Sequence, residues 1–145
     1  MIARLLLTWV DRLRDRQRRK KWTDTQAAGR RGEDLAHRFL RAQGFTIVAR
    51  NYRLPSGDGE ADLIAWEGEE LVIVEVKTRE SGDYGPPERA IGPEKERHLA
   101  RVGRAFAPKD DVQWEQVPCD VVTVVLSKTP QIELFRLAVR LPRGG

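Results

Sequence analysis

Cysteine and histidine are scarce in this chain of 145 residues, which has one cysteine and two histidines. Cys119 alone cannot form an internal disulfide, so we expect a protein that does not depend on an oxidising compartment, with the cytoplasm as the default location. Because Cys119 lies beside an apolar run, we interpret it as a buried, inert thiol. His37 and His98 are far apart in sequence, which argues against a zinc site.

Long apolar runs are also missing. The stretch from Met1 to Val10 contains Arg4 and is far shorter than the ~20 residues that cross a bilayer. No basic segment precedes it, so a signal peptide is not expected. Its apolar residues continue to Leu13 at i, i+3 and i+4 spacing, which predicts an amphipathic helix.

The net charge of +4 is concentrated at one end of the chain. Residues 1–31 hold ten lysines and arginines against three aspartates, a charge of +7, whereas residues 32–145 carry −3. A basic end suits a polyanion, and we expect nucleic acid, DNA in particular, rather than an acidic membrane. We expect residues 1–24 to form a basic amphipathic helix or tail outside a domain of residues 25–140. The expected nucleic-acid contacts there are Arg18, Arg19, Lys20 and Lys21.

The order of predicted elements indicates an α/β fold with a mixed sheet flanked by helices. One helix should end at Gly44, since glycine favours the position after a helix, and another should begin at Pro93 or Glu94. A loop rich in glycine and proline, Gly82–Pro93, precedes the second of these helices. The predicted strands are Phe45–Asn51, Ala61–Trp66, Leu71–Thr78, Asp120–Leu126 (a buried strand) and Gln131–Leu137 (its outer partner).

A two-residue turn joins the second and third of these strands. Glycine at the first central position, as in Gly68-Glu69, fits a type II′ turn. This turn determines which residues lie opposite each other across the hairpin. The resulting pairs are Trp66 with Leu71, Ile64 with Ile73, Asp62 with Glu75, and Glu60 with Lys77.

Asp62, Glu75 and Lys77 form the candidate site. Two carboxylates directly opposite each other repel, and a divalent cation between them removes the conflict. Mg²⁺ takes one or two carboxylates together with water and phosphate oxygens. Lys77 shares a strand face with Glu75, where an ammonium group can stabilise a phosphate or orient a water. This combination is typical of a phosphodiester hydrolase that uses Mg²⁺ or Mn²⁺.

A structural explanation of the same residues stays open. Asp62 could cap a strand, and Glu75 and Lys77 could face solvent. The apolar residues around Glu75 favour the functional reading, because a strand that is apolar on both faces is normally buried and a buried charge needs a partner or a metal. Glu60 is either the cross-strand partner of Lys77 or a further metal ligand.

The same residues resemble the PD-(D/E)XK nuclease superfamily and, more narrowly, the YraN-like family of small bacterial proteins, which is similar to archaeal-type Holliday junction resolvases. The resemblance covers roughly residues 25–137. The matching segments are Gly29-Arg30-Arg31-Gly32-Glu33, Ala36, Leu40, Gly44-Phe45, Arg50-Asn51-Tyr52-Arg53, Gly59-Glu60-Ala61-Asp62-Leu63-Ile64, Val74-Glu75-Val76-Lys77-Thr78-Arg79, Lys95 and Cys119-Asp120-Val121-Val122.

The resemblance implies a restriction-endonuclease-like fold with about five strands. It maps Asp62, Glu75 and Lys77 onto the acid, acid and lysine of the superfamily signature. It also implies that Glu33, otherwise read as an exposed helix residue, points at the same metal centre. Ala61 stands where the superfamily has proline, which removes neither an acid nor the lysine.

Two further matches leave alternatives open. Lys95 either contacts nucleic-acid phosphate or is a solvated helix lysine. Asp120 matches the family pattern, although a structural residue at the start of a strand explains it better.

The leading functional hypothesis is a metal-dependent endonuclease, with selectivity for branched DNA as its finer form. The alternative is a nucleic-acid-binding or adaptor protein on a nuclease fold with little or no turnover. Resolvase-like members act as dimers, so a homodimer is also open.

Overall fold

Two helices and five strands follow one another along the part of the chain that the computed structural model describes, which is residues 24–80, 85–110 and 117–140. Residues 24–42 are helical and are called α1. A short 3₁₀ helix, Pro87–Ala90, precedes the second α-helix. The other elements are β1 (Thr46–Arg53), β2 (Glu60–Glu67), β3 (Glu70–Arg79), α2 (Pro93–Asp110), β4 (Pro118–Val125) and β5 (Gln131–Arg140).

The basic N-terminal segment lies outside the described residues. This applies to the predicted helix of residues 2–13 and to Arg18, Arg19, Lys20 and Lys21. The chain divides into two compact units, Met1–Arg31 and Gly32–Gly145. The predicted boundary between residues 24 and 25 therefore stays a prediction.

The end of α1 is built as the glycine at position 44 predicts. Gly44 has a φ of 98°, a left-handed conformation that glycine adopts without a steric cost. Its N–H donates to the carbonyl of Arg41, and the N–H of Phe45 donates to the carbonyl of Leu40. These two bonds form a Schellman motif, which satisfies carbonyls that a helix end leaves without partners. Leu40 and Phe45 are both buried in one core.

The five strands form one mixed sheet in the order β1-β2-β3-β4-β5. Neighbouring strands are antiparallel except β3 and β4, which run parallel. A parallel pair needs a crossover connection, and α2 lies in that connection. Every residue of β4 from Pro118 to Val124 is buried, and β5 pairs with its outer edge. The predicted fold class, buried strand and outer partner are confirmed.

Each face of the sheet carries its own core, because strand side chains alternate between faces. Val72 and Val74 of β3 belong to the core that contains Leu40 of α1. Ile73 belongs to the core that contains Leu99 of α2. Continuing the alternation places Glu75 and Lys77 on the face that α2 covers.

The β2–β3 hairpin has the predicted turn and register. Gly68 has a φ of 60°, as the first central position of a type II′ turn requires. The paired residues include Trp66 with Leu71 and Leu63 with Val74. A slip of one residue would exchange the two faces, so this register decides which side chains accompany Glu75.

Candidate active site

Asp62 and Glu75 lie where β2 and β3 stop pairing through their backbones. The ladder ends at Leu63 and Val74, and side chains take over beyond it. The backbone N–H of Val76 donates to Oδ2 of Asp62 at 2.8 Å. The backbone N–H of Asp62 lies 3.5 Å from Oε1 of Glu75. The structure thus brings the two predicted acids together, with Asp62 held by a backbone donor of the opposite strand.

Glu75 is a buried carboxyl group with only 2 % of its surface exposed. Burial, and then the negative charge of Asp62, raise the pKa of Glu75 from 4.5 to about 7, although Lys95 opposes the rise. A second carboxylate nearby disfavours ionisation, so a cation at this position would stabilise the charged form. The burial that the apolar pattern of this strand predicts is confirmed.

Lys95 reaches the acid pair from the first turn of α2. Its Nζ atom lies 3.3 Å from Oε2 of Glu75 and donates to the backbone carbonyl of Glu60 at 3.4 Å. The side chain is 34 % exposed. Lys95 therefore neighbours the site rather than standing in solvent as an isolated helix lysine, and its contact with nucleic acid stays a prediction.

Lys77 is half-buried and lies opposite Thr123 of β4. It lines a cavity together with Arg79, Arg89 and Thr123. Neither Arg89 nor Thr123 was predicted at the acid pair. Thr123 had a visible signal, since it is a polar residue between two valines of a buried strand. Arg89 had only the general signal of a basic residue, because its position depends on where the 3₁₀ helix packs.

Glu33, on α1, has partners of its own on β1. Its Oε2 accepts a hydrogen bond from Nδ2 of Asn51 at 3.1 Å and lies 4.0 Å from the guanidinium of Arg50. Arg50 also pairs with Asp34 at 2.7 Å, and this hydrogen bond lowers the pKa of Asp34. Asn51 has a φ of 47°, a left-handed conformation that asparagine tolerates better than most residues.

Gly32 permits a close approach of α1 to β3 next to Glu33. A Cβ atom at Gly32 would lie 1.9 Å from Oγ1 of Thr78, which is far inside any normal contact. Thr78 directly follows Lys77. Glu33 consequently stands near the end of β3, although its bonds are to β1.

The donor set limits which metal site fits here. No group of three histidine, cysteine, aspartate or glutamate side chains is arranged to share a metal ion among the described residues. Glu33 is thus not gathered with Asp62 and Glu75. The two carboxylates fit one Mg²⁺ that completes its shell with water and phosphate oxygens, which is a usual mode for this ion.

Asp120 has a partner that explains its burial. It is 1 % exposed, and its Oδ2 lies 3.2 Å from Nε of Arg136 on β5. Arg136 also pairs with Glu67 and stacks over the ring of Phe45 at 5.5 Å from the centroid. This arrangement favours the structural explanation of Asp120. Cys119 beside it is buried, and burial raises the pKa of its thiol, as expected of an inert cysteine.

The cross-strand pair predicted between Glu60 and Lys77 is wrong. Glu60 lies opposite Arg53 of β1, and its Oε2 is 3.4 Å from Nε of Arg53. The reason is that the β2–β3 ladder ends before Glu60, so its carboxylate turns to the other neighbouring strand.

Comparison with known proteins assigns the family. The model of the uncharacterised protein family UPF0102 matches residues 32–124. The chain belongs to the UPF0102 family. The resemblance to YraN-like proteins is thereby confirmed. The UPF0102 match contains Glu33, Asp62, Glu75, Lys77 and Lys95, and it excludes the basic residues 1–31.

Individual UPF0102 relatives match over most of their lengths. A UPF0102 protein of Solibacter usitatus is 50% identical over 125 residues, which cover 86% of this chain and 93% of that protein. A UPF0102 protein of Koribacter versatilis is 41% identical, covering 78% and 79% of the two chains. A UPF0102 protein of Dictyoglomus thermophilum is 34% identical, covering 72% and 86%.

One physical property of the helices is relevant to a membrane role. In residues 24–80, 85–110 and 117–140, neither helix is both long and apolar enough to span a bilayer.

Proposed function

We propose that this protein is a metal-dependent nuclease that hydrolyses nucleic-acid phosphodiesters, with DNA as its substrate. The observation that carries the proposal is the buried Glu75 beside Asp62, with Lys77 two residues along the same strand. A buried acid beside a second carboxylate destabilises a fold unless a cation or a proton compensates it. The presence of such a pair next to a lysine supports a catalytic rather than a structural role.

In this proposal Asp62 and Glu75 hold one Mg²⁺ or Mn²⁺ ion. When bound, the ion supplies polarisation of the phosphate and lowers the pKa of water. The backbone N–H of Val76 fixes one oxygen of Asp62, which leaves Oδ1 for the ion. Lys77 binds a phosphate oxygen and stabilises the charge that develops during hydrolysis.

Lys95 and Glu33 have supporting roles in the proposal. Lys95 compensates the charge of Glu75 when no divalent ion is present, since its ammonium lies 3.3 Å from Oε2. Glu33 supports the centre as the resemblance implies, and its bonds to Asn51 and Arg50 of β1 hold it in place. Both roles leave Asp62, Glu75 and Lys77 as the residues on which turnover depends.

Labelled linear, flapped and four-way DNAs, incubated with Mg²⁺ or Mn²⁺, test the proposal. We expect metal-dependent cutting that is lost in Glu75→Gln and in Lys77→Met. Lys128→Met is the matched control, because Lys128 is exposed in the β4–β5 connection. Circular dichroism should show that all three variants are folded. Cutting that persists unchanged in Glu75→Gln contradicts the proposal. A preference for the four-way substrate would support the branched-DNA hypothesis, which rests on the resemblance to resolvases.

A binding or adaptor protein without turnover is the second candidate. It is favoured by the contact of Lys95 with Glu75, which already compensates the buried charge without a metal. In that case DNA binding should survive in EDTA. Deletion of residues 1–24 should then weaken binding more than Glu75→Ala does.

A further inference from the structure

A cavity opens beside Lys77 on the face of the sheet that α2 covers. Its volume is about 170 Å³, which is enough for a phosphate group and several waters, given about 30 Å³ for each water in the liquid. Its walls come from the ends of β3 and β4 and from the 3₁₀ helix. The lining residues are Lys77, Arg79, Gly85, Pro86, Arg89, Ala90 and Thr123.

The cavity has the electrostatics of an anion site. Among the described residues that line it, Lys77, Arg79 and Arg89 are cationic and none is acidic. Ion pairs found elsewhere in the described residues include neither Lys77 nor Arg89. Lys77 and Arg89 repel each other, so a bound anion would stabilise this pair.

The shape of the cavity also depends on small and polar residues. Arg89 lies along Gly85, and a Cβ at Gly85 would meet Cδ of Arg89 at 3.4 Å. Thr123 is 4 % exposed and places a hydroxyl in a strand whose neighbours are valines. The hydroxyl adds a neutral hydrogen-bonding group to the three cations.

We propose that this cavity binds the terminal phosphate of a nucleic-acid strand whose chain continues towards the acid pair, which rests on the proposed nuclease function. A terminal phosphate carries close to two negative charges at neutral pH, because its second pKa is about 6. An internal phosphodiester carries one negative charge, and its strand must both enter and leave the cavity. Two cations without ion pairs in the described part of the chain, Lys77 and Arg89, therefore match a strand end better than a continuous strand.

The position of Lys77 connects the cavity to the acid pair. Lys77 lies two residues from Glu75, which is about 6.6 Å along a strand, and it lines the cavity at the same time. A strand held by its end in the cavity would therefore present a phosphodiester close to its terminus to Asp62 and Glu75. This arrangement selects strand ends and restricts hydrolysis to their vicinity.

Binding measured without turnover tests the inference. Fluorescence anisotropy in EDTA would compare short labelled single strands that end in a 5′-phosphate, a 3′-phosphate or a hydroxyl. We expect one phosphorylated end to bind about tenfold more tightly than the hydroxyl end, the size expected of a few exposed charge-assisted hydrogen bonds. Arg89→Gln should remove this preference. Arg41→Gln, which changes an exposed arginine of α1 outside the cavity, should retain it. Inorganic phosphate at millimolar concentration should compete with the preferred end.

Equal affinity for phosphorylated and hydroxyl ends would overturn the inference, as would a preference that survives in Arg89→Gln. Binding of inorganic phosphate without any preference among the strands would equally exclude a strand-end site. The proposed function fails separately. Metal-dependent cutting without an end preference removes the cavity inference and leaves the nuclease, whereas an end preference without cutting does the reverse.

Discussion

The Nζ atom of Lys95 lies 3.3 Å from Oε2 of Glu75, so the cation nearest to the buried carboxylate in the described residues comes from a different element. Glu75 belongs to β3, and Lys95 belongs to the helix that connects β3 to its parallel neighbour. The ionisation of Glu75, its affinity for a divalent ion and the position of α2 are consequently linked.

The stability of the protein should depend on the protonation of Glu75. Burial and Asp62 raise its folded-state pKa to about 7, so the folded state holds this proton more tightly than the unfolded state. The stabilisation of the folded state by this proton is therefore present in full below about pH 4.5 and is lost as the pH rises through 7. We expect a loss of up to about 3 kcal/mol in the free energy of unfolding.

Urea unfolding in EDTA at pH 5 and pH 8 would measure this contribution. Glu75→Gln should lack it, and the difference between wild type and variant should change with pH accordingly. Glu133→Gln, at an exposed position of β5, is the control and should follow the wild type. An identical pH dependence in wild type and Glu75→Gln would contradict the raised pKa.

Replacement of Lys95 by methionine should strengthen divalent-ion binding at pH 8.5. The ammonium group near Glu75 repels a second cation, and pH 8.5 favours the ionised form of Glu75, whose pKa in the wild type is about 7. We expect the Kd for Mn²⁺, measured by calorimetry, to fall by about tenfold. Lys128→Met should leave it unchanged. A weaker affinity in Lys95→Met would show that Lys95 supports the metal site instead of competing with it.

Removal of the Arg136 guanidinium should destabilise the fold through Asp120. Asp120 is 1 % exposed, and Arg136→Met removes its ion pair with β5. Because the Arg136 side chain is half-exposed, we expect a loss of about 2 kcal/mol, below the value for a fully buried pair. The double variant with Asp120→Asn should recover part of it. Urea unfolding measures the free energy of unfolding of the single and double variants. Losses that add in the double variant would argue against a direct interaction between Arg136 and Asp120.

Alanine at Gly32 should destabilise the packing of α1 on β3. The new Cβ would lie 1.9 Å from Oγ1 of Thr78, so the elements must move apart, at a cost of about 1–3 kcal/mol. The double variant Gly32→Ala/Thr78→Ala should restore part of this stability, because Oγ1 and Cγ2 of Thr78 are removed while its Cβ stays 2.9 Å from the new Cβ. Thermal unfolding would measure it. A loss in the double variant equal to the single one would place the strain elsewhere.

Local patterns in the sequence determined much of this fold. The helix end at Gly44, the type II′ turn at Gly68, the hairpin register and the buried β4 strand each depend on residues close together in the chain. The side chains of β3 alternate between the two faces of the sheet, and this alternation places Glu75 and Lys77 on one face. Such features are predictable because backbone sterics and a two-residue period act over short separations.

Tertiary structure alone decided the partners of these residues. Lys95 meets Glu75 because α2 crosses over the sheet, and Glu60 turns to Arg53 because the β2–β3 ladder ends early. Arg89 joins Lys77 because the 3₁₀ helix packs against β4 and β5. No periodic pattern in the sequence predicts these contacts, since each depends on how two elements that are distant along the chain pack together. The sequence by itself determined that two acids and a lysine share one hairpin. The packing of the elements between β3 and β4 decided which charges surround them.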